Sequence, residues 1–175
     1  RPQQEGLYLH FCEIAKASPV PMILYNVPKR TGVNMLPETT RRIYDAYPEK
    51  IMGIKEACSN IEQFTQTVAI ANGDFAVISG DDDLACEMVK IGGAGLISVA
   101  SNAWPKEMKQ IVQEKDAIMQ AKMGHRIHLL FVEGNPSGIK TVLAEMGMIK
   151  NVLRLPMVTC TENTQMVIRR ALMTD

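Results

Sequence analysis

The sequence predicts an α/β protein whose strands lie parallel in a sheet. Three observations favour this fold class: short apolar runs alternate with segments of helical spacing, the apolar runs contain few polar residues, and turn-forming residues separate the two. Such runs are typical of strands that are buried on both faces, as they are in parallel sheets covered by helices.

The first three elements are predicted to be a helix, a strand and a second helix. Leu7, Phe11 and Ile14 fall at helical spacing near the start of the chain. The apolar run 21–25 then predicts a strand. The segment "LPETTRRIYDAYPEK" predicts the next helix, with Pro37 in its first turn.

Three more strand–helix units follow. Their strands are predicted by the apolar runs "KIMGIK", "DFAVISG" and "AGLISVAS". Their helices are predicted by "SNIEQFTQTVAIANG", "DDDLACEMVKIGG" and "WPKEMKQIVQEKD". We expect Ser59 or Asn60 to cap the first of these helices and Gly73 to end it. We expect the second to begin on its acidic residues, which suit the positive end of the helix dipole.

The strand signals stop near Asp116. Three helices are predicted after it, by "AIMQAKMGHRIHLLFVEG", "NPSGIKTVLAEMGMI" and "TENTQMVIRRALM". Four strand–helix units followed by helices predict one half of a (β/α)8 barrel of the TIM type over residues 1–116, with a helical extension over residues 117–175. A barrel half is expected to leave two unpaired strand edges and an exposed apolar interior.

Composition and charge narrow the class of protein. The 175 residues include 19 basic and 19 acidic side chains, and 46% are hydrophobic, so we expect a globular protein that binds neither nucleic acid nor membrane. No apolar run approaches the ~20 residues that a membrane-spanning helix needs. The four cysteines form no CxxC pair, which favours a reducing compartment and predicts a cytoplasmic protein.

Polar residues stand at the carboxyl end of each predicted strand, where barrels of this type build their active sites. Lys55 is the most informative of them, because it directly follows an apolar run. A lysine held in an apolar barrel mouth loses hydration, which disfavours its charged form. A neutral amine adds to a carbonyl to form a Schiff base, so this position suits covalent catalysis.

Each candidate residue also has a purely structural explanation. A lysine after a strand is commonly a surface residue with a packed stem and a solvated head, and Glu56 would pair with it or cap the next helix. Tyr25 is more often a packed aromatic residue. Arg30 is more often a solvated turn cation, although an arginine beside an active site suits a carboxylate. The local sequence alone leaves both explanations open.

Three other patterns are weak evidence for binding. The segment "GGAG" at 92–95 lacks the lysine of a phosphate-binding loop, so a tight helix-to-strand turn is the better interpretation. The aspartates at 81–83 have no evident further ligands and suit a helix start. His10, His125 and His128 lie on predicted helices without a metal-ligand spacing. We therefore predict no metal site.

The motifs become specific when they are taken together. The chain carries, in this order, "ILYNVPKRTG", "GIKEA", "ISGDD", "GLISV", "FVEGNPSGIK" and "LRLPM". With these motifs it resembles the dihydrodipicolinate synthase family, of the pyruvate-dependent class I aldolase superfamily, over nearly its whole length. The lysine and tyrosine motifs are shared by the superfamily, whereas "YNVPKRTG" and "SGDD" favour this family over N-acetylneuraminate lyase.

The resemblance implies a Schiff-base lyase that condenses pyruvate with aspartate 4-semialdehyde to 4-hydroxy-tetrahydrodipicolinate, in lysine (diaminopimelate) biosynthesis. Lys55 would form the Schiff base, and Tyr25 would relay protons. Arg30 would bind the carboxylate of the semialdehyde, and the backbone of Gly80 and Ile97 would line the pyruvate pocket. The resemblance also implies that no metal or organic cofactor is needed, and that the protein forms a dimer or tetramer of identical chains.

The chain departs from the family in length. Four predicted strands are half of the eight that a (β/α)8 barrel needs. The resemblance implies that this is the C-terminal half, without the family's threonine pair that binds the pyruvate carboxylate. Two alternatives therefore stay open: a catalytically incomplete fragment, and a sister pyruvate aldolase with another aldehyde, such as an N-acetylneuraminate lyase-like enzyme.

Overall fold

The computed structural model describes residues 1–71 and 74–173, so the helix end predicted at Gly73 lies outside the described residues. The chain divides into two units, Arg1–Ile97 and Ser98–Asp175. The first unit holds every strand found in the described residues. The sequence predicts a different division, at residue 116, between a barrel half and a helical extension. That division stays a prediction.

The four predicted strands are present, and all are parallel. They are β1 (Met22–Asn26), β2 (Ile51–Glu56), β3 (Ala76–Ser79) and β4 (Gly95–Leu96). Their order across the sheet is β1-β2-β3-β4, the same as their order in the chain. β4 is shorter than its apolar run, because only the last two residues of β3 pair with it. Successive neighbours of this kind are what repeated strand–helix units of a barrel produce.

Helices connect and flank these strands. In the first unit they are α1 (Gln4–Ala17), α2 (Pro28–Thr31), α3 (Pro37–Ala46), α4 (Ile61–Ile70) and α5 (Ala85–Ile91). Asn60 caps α4, since its side chain accepts a hydrogen bond from the N–H of Gln63 at 3.0 Å. The acidic residues form a 3-10 turn over Asp82–Leu84 that runs directly into α5, so the predicted helical segment begins on them while the α-helix itself begins at Ala85.

α1 confirms the first predicted helix. The side chains that it buries are Leu7, Cys12 and Ala15, whereas Ile14 is exposed. α1 packs against α3. The position of this neighbouring helix therefore selects which side of α1 is covered, and helical spacing alone does not show it.

One face of the sheet is covered by helices and forms the core of the first unit. α3 packs against β2, α4 against β3, and α5 against β3 and β4. Two rows of buried side chains lie on this helix-covered face: Leu24, Ile54 and Val77, and then Asn26, Glu56 and Ser79. The second row is polar, so its members need hydrogen-bond partners within the protein.

The opposite face, called the open face below, is exposed to solvent. Ile23, Tyr25 and Ile97 on this face are 50%, 45% and 43% exposed. The prediction that the strands are buried on both faces is wrong for this face, because the helices of the unit pack on the other side. The expected exposed apolar surface of a barrel half is confirmed.

The second unit is helical and contains the helices predicted in this part of the chain. Its helices are α6 (Pro105–Gln113), α7 (Ala117–Leu129), α8 (Ser137–Glu145) and α9 (Glu162–Met173). α6 packs against α7, and α8 packs against α9. Asp116 caps α7, since its side chain accepts hydrogen bonds from the N–H groups of Ile118 and Met119. None of the helices within residues 1–71 and 74–173 is long and apolar enough to span a membrane.

Gly53 tests the close approach of β2 and β3. A Cβ added at Gly53 would overlap the carbonyl oxygen of Ala76 and lie 3.1 Å from the Cβ of that residue. We expect Gly53→Ala to lower the free energy of unfolding by about 2 kcal/mol or more, because the overlapping atom belongs to a paired backbone. Urea denaturation followed by circular dichroism measures this loss.

Gly95→Ala is the matched control in the same sheet. A Cβ added at Gly95 meets no atom within 4 Å. We expect this variant to lose much less stability than Gly53→Ala. Equal losses in the two variants would contradict the explanation by overlap.

Candidate active site

The carboxyl ends of β1 and β2 bring two of the predicted residues together on the open face. Tyr25 pairs with Lys55 in the parallel register, so both side chains project from the same side of the sheet. The Lys55 Nζ lies 4.3 Å from the centroid of the Tyr25 ring. A lysine ammonium at this distance is attracted to the face of an aromatic ring. The candidate Schiff-base lysine and the candidate proton carrier are therefore in contact.

Lys55 is half-buried, and its stem lies against the backbone at Gly80. The N–H of Gly80 donates to the carbonyl of Glu56 at 2.8 Å, which continues the pairing of β2 and β3 past the end of β3. A Cβ at position 80 would lie 2.9 Å from the Lys55 Cε and 2.7 Å from the Cβ of Ala57. Glycine at this position therefore leaves the room that the lysine stem occupies.

Ile97 lies at the same edge of the sheet, one residue beyond β4. Its N–H donates to the carbonyl of Ser79 at 2.9 Å, so its backbone is held against the end of β3. The structure thus places Tyr25, Lys55, Gly80 and Ile97 at one carboxyl edge. That edge is where barrels of this type carry their catalytic groups.

Arg30 lies on α2, the short helix that follows β1. Its side chain is exposed to solvent. α2 is not among the helices predicted above, although both of its ends carry helix signals. Pro28 stands at its start, and Gly32 ends it with a φ of 72°. α2 therefore positions an exposed guanidinium immediately after the strand that carries Tyr25.

A buried polar cluster lies behind the contact of Tyr25 and Lys55, on the helix-covered face. The Asn26 Nδ2 donates to Glu56 Oε1 at 2.8 Å, and the Gln63 Nε2 donates to Glu56 Oε2 at 3.2 Å. The N–H of Cys58 donates to Glu56 Oε1 at 3.1 Å. Glu56 therefore takes neither of the two predicted roles: its side chain points away from Lys55, and Asn60 caps α4.

The cluster continues from the strands into the segment before α3. The Asn26 Nδ2 also donates to Asn34 Oδ1 at 2.8 Å, and the N–H of Met35 donates to Asn26 Oδ1 at 3.0 Å. The Asn34 Nδ2 donates to Gln63 Oε1 at 2.7 Å, which closes the network onto α4. A sequence signal for this cluster exists, because Asn26 and Glu56 each follow a candidate site residue and successive strand residues face opposite ways.

Burial governs the acidity of the groups in this cluster. It raises the pKa of the Glu56 carboxyl above its ordinary value, and hydrogen bonds from Cys58, Gln63 and Asn26 partly offset the rise. Burial also raises the pKa of the Cys58 thiol to about 12, with the Glu56 carboxylate adding to the effect. Cys58 therefore stays a neutral thiol near neutral pH and does not supply a nucleophile beside the lysine.

The weaker sequence patterns have structural roles. Gly92 ends α5 with a φ of 120°, which confirms the helix-to-strand turn predicted at 92–95. Asp81 Oδ2 accepts a hydrogen bond from the N–H of Ser59 at 3.0 Å and so joins two loops at the carboxyl edge. Within residues 1–71 and 74–173, no group of three or more His, Cys, Asp or Glu side chains is placed to hold a metal ion.

Known proteins resemble this chain in sequence and in fold. The model of the dihydrodipicolinate synthetase family matches residues 1–174. A 4-hydroxy-tetrahydrodipicolinate synthase of Flavobacterium psychrophilum is 42% identical over 170 residues, which are 93% of this chain and 58% of the relative. The crystal structure of a dihydrodipicolinate synthase from Thermotoga maritima matches with a TM-score of 0.93 at 41% identity and covers 99% of this chain and 62% of its own.

A third relative was solved in complex with pyruvate. The crystal structure of the chloride-inhibited dihydrodipicolinate synthase from Acinetobacter baumannii, complexed with pyruvate, matches with a TM-score of 0.92 at 38% identity and covers 99% of this chain and 61% of its own. This chain therefore spans about three fifths of the length of these relatives. The predicted α/β fold of the TIM-barrel type is confirmed by the solved structures. That the matched part is the C-terminal one stays a prediction.

The raised pKa of Glu56 predicts a pH-dependent stability. Because folding raises this pKa, the folded state binds the proton more tightly than the unfolded state does. The contribution of Glu56 to the free energy of unfolding therefore falls as the pH rises from 4.5, its ordinary pKa, through the raised value. We expect the free energy of unfolding of the wild-type protein, relative to that of Glu56→Gln, to fall with rising pH over this range.

Urea denaturation at a series of pH values measures this difference. Glu62→Gln removes an exposed carboxyl from the first turn of α4 and is the matched control. A difference between wild type and Glu56→Gln that is the same at every pH would contradict the prediction.

Proposed function

The chain belongs to the dihydrodipicolinate synthetase family, and we propose that it provides the Schiff-base lysine of a lyase that condenses pyruvate with aspartate 4-semialdehyde to 4-hydroxy-tetrahydrodipicolinate. We assign this reaction to lysine (diaminopimelate) biosynthesis. The observation that supports the proposal most directly is the contact of Lys55 with Tyr25 at the carboxyl ends of adjacent parallel strands.

In the first half of the proposed reaction, the Lys55 amine attacks the keto carbon of pyruvate. Proton transfers convert the keto oxygen into a leaving water molecule, and an imine joins Nζ to the former keto carbon. The hydroxyl group of Tyr25 carries these protons, and the contact of its ring with Nζ keeps this residue beside the reacting amine. Loss of a methyl proton then gives an enamine, with the imine nitrogen taking up the electron pair.

In the second half, the enamine carbon attacks the aldehyde carbon of aspartate semialdehyde, and the aldehyde oxygen takes a proton to become a hydroxyl group. The amine of the semialdehyde then displaces Lys55 from the imine, which closes the ring and frees the lysine. Arg30 pairs with the semialdehyde carboxylate, for which its exposed position on α2 is suited. The backbone at Gly80 and Ile97 lines the pyruvate side of the site.

The open face favours a second candidate function, a catalytically incomplete fragment. Exposed Ile23, Tyr25 and Ile97 leave the site open to water on the face where the chemistry is proposed. Closing an active site excludes water and strengthens its electrostatic interactions. In this candidate the chain still forms the imine with pyruvate but does not complete the condensation without the remaining two fifths of the relatives' length.

We also propose that the protein is a cytoplasmic homo-oligomer, either a dimer or a tetramer. Within the described residues none of the four cysteines forms a disulfide bond, which fits a reducing compartment. β1 and β4 each have one unpaired edge in the described sheet, and the open face is apolar. Surfaces of this kind are normally covered by association or by further chain.

Trapping with borohydride tests the central proposal. We expect pyruvate and borohydride to attach a pyruvate-derived adduct to Lys55 of the purified chain, because the reductant converts the imine into a stable amine. Intact mass and peptide mapping locate the adduct. Lys55→Arg is expected to abolish it, since a guanidinium forms no imine with pyruvate.

Lys90→Arg provides the matched control, because Lys90 is an exposed lysine at the end of α5. It is expected to keep the adduct in full. A folded wild-type protein without the adduct, or an adduct that survives in Lys55→Arg, would refute the proposed role of Lys55.

Arg30 distinguishes the synthase from a sister aldolase. In a protein that carries this chain together with the remaining two fifths of the relatives' length, we expect Arg30→Gln to raise the KM for aspartate semialdehyde by about tenfold or more, because a charge-assisted pair with the carboxylate is lost. The pyruvate adduct on Lys55 should form as before. An unchanged KM for the semialdehyde would favour an aldolase with another aldehyde substrate.

A further inference from the structure

We propose that Asn26 and Glu56 are positioning residues that set the contact of Tyr25 with Lys55 from the opposite side of the sheet. The inference rests on the proposed function, since it explains how a Schiff-base lysine and its proton carrier are held together. Asn26 and Glu56 lie on the helix-covered face, so each acts through the residue that precedes it in the chain.

Strand geometry couples the two pairs of residues. Successive side chains of a strand point to opposite faces, and Tyr25 and Asn26 pair with Lys55 and Glu56 in the register of β1 and β2. The 2.8 Å hydrogen bond from Asn26 Nδ2 to Glu56 Oε1 therefore joins the same two segments that carry the site residues. A shift of one strand along the other would therefore break this bond and, at the same time, move Tyr25 away from Lys55 on the open face.

The bond lies where the backbone pairing of the two strands ends. The N–H of Ala57 donates to the carbonyl of Asn26 at 2.9 Å, just past the end of β2. Beyond this point β1 leads into α2, and β2 leads into the loop before α4. The side-chain bond thus joins the strands at the edge where the proposed chemistry takes place and where backbone bonds cease.

Burial makes this connection stiff. Asn26 is 3% exposed and Glu56 is 0% exposed, so water does not compete for the bond. The Glu56 oxygens accept N–H groups from Asn26, Cys58 and Gln63. An amide at position 56 has a single acceptor oxygen. In Glu56→Gln the side-chain N–H groups would therefore face some of these N–H donors, and no hydrogen bond would form between them. The geometry at the strand ends then changes.

A purely structural role for the cluster predicts a different outcome. A structural acid stabilises the unit as a whole, so its loss lowers the free energy of unfolding without moving one particular lysine. A positioning pair also controls the distance between the Lys55 Nζ and the Tyr25 ring in protein that remains folded. A direct readout of that contact therefore separates the two roles.

The first measurement is the NMR spectrum of the chain after reductive methylation with ¹³C-labelled formaldehyde. The methyl groups on the Lys55 Nζ would lie over the Tyr25 ring, whose ring current shifts their signal away from those of exposed lysines. Tyr25→Leu assigns the signal. We expect Glu56→Gln and Asn26→Ala to move it toward the exposed lysines in samples that circular dichroism shows to be folded.

Thr67→Val is the matched control for this measurement. It removes another buried hydrogen bond of the same unit, from Thr67 Oγ1 to the carbonyl of Gln63 at 2.9 Å. It is expected to leave the Lys55 signal in place. A signal that stays in place in both Glu56→Gln and Asn26→Ala, or that moves equally in Thr67→Val, would overturn the proposal.

The second measurement is the rate at which the imine forms at saturating pyruvate, followed by trapping with borohydride. We expect Glu56→Gln to slow it by about tenfold to a hundredfold, the range that misplacement of a reacting group produces. The double variant Asn26→Asp/Glu56→Gln exchanges donor and acceptor and is expected to recover part of the rate.

The outcomes for the positioning role and for the proposed function are distinguishable. If Glu56→Gln and Asn26→Ala both form the imine at the wild-type rate, the positioning role is overturned, even if the wild-type adduct forms. If the wild-type chain forms no imine while Glu56→Gln still moves the Lys55 signal, the proposed function fails and the positioning role stands.

Discussion

The hydrogen bond between the Asn26 amide and the buried Glu56 carboxyl is the interaction on which the geometry of the site depends. It joins two strands at their carboxyl ends, and Gln63 and Asn34 extend it to α4 and to the segment before α3. An acidic group is tolerated there because N–H donors surround it. One polar cluster therefore fixes the strand ends, the elements behind them and the two site residues in front.

The two faces of the sheet separate stability from chemistry. The helix-covered face contains the core, in which Leu24, Ile54 and Phe64 are almost fully buried. The open face carries Tyr25 and Lys55 among exposed apolar side chains. Because successive strand residues face opposite ways, a residue that serves the proposed reaction has a neighbour that serves the core. This arrangement links the precision of the site to the packing of the helices.

The family motifs and the strand register support the same lysine by independent routes. The motif "GIKEA" singles out Lys55 by resemblance, whereas the register places it beside Tyr25 and the close approach of Gly80 leaves room for its stem. The relatives extend well beyond the span of this chain. The open face combines an apolar surface with free strand edges, and both features favour association.

The sequence by itself determined the fold class, the four parallel strands and the position of Lys55 and Tyr25 at strand ends, because apolar periodicity and turn residues are local properties. Only the tertiary structure decided that β4 is short, which face of the sheet the helices cover, and that Glu56 bonds to Asn26 rather than to Lys55. Asn26 and Glu56 are 30 residues apart in the chain. Such a partnership exists only after the strands have paired in one register, and the burial of one face of the sheet decides that register.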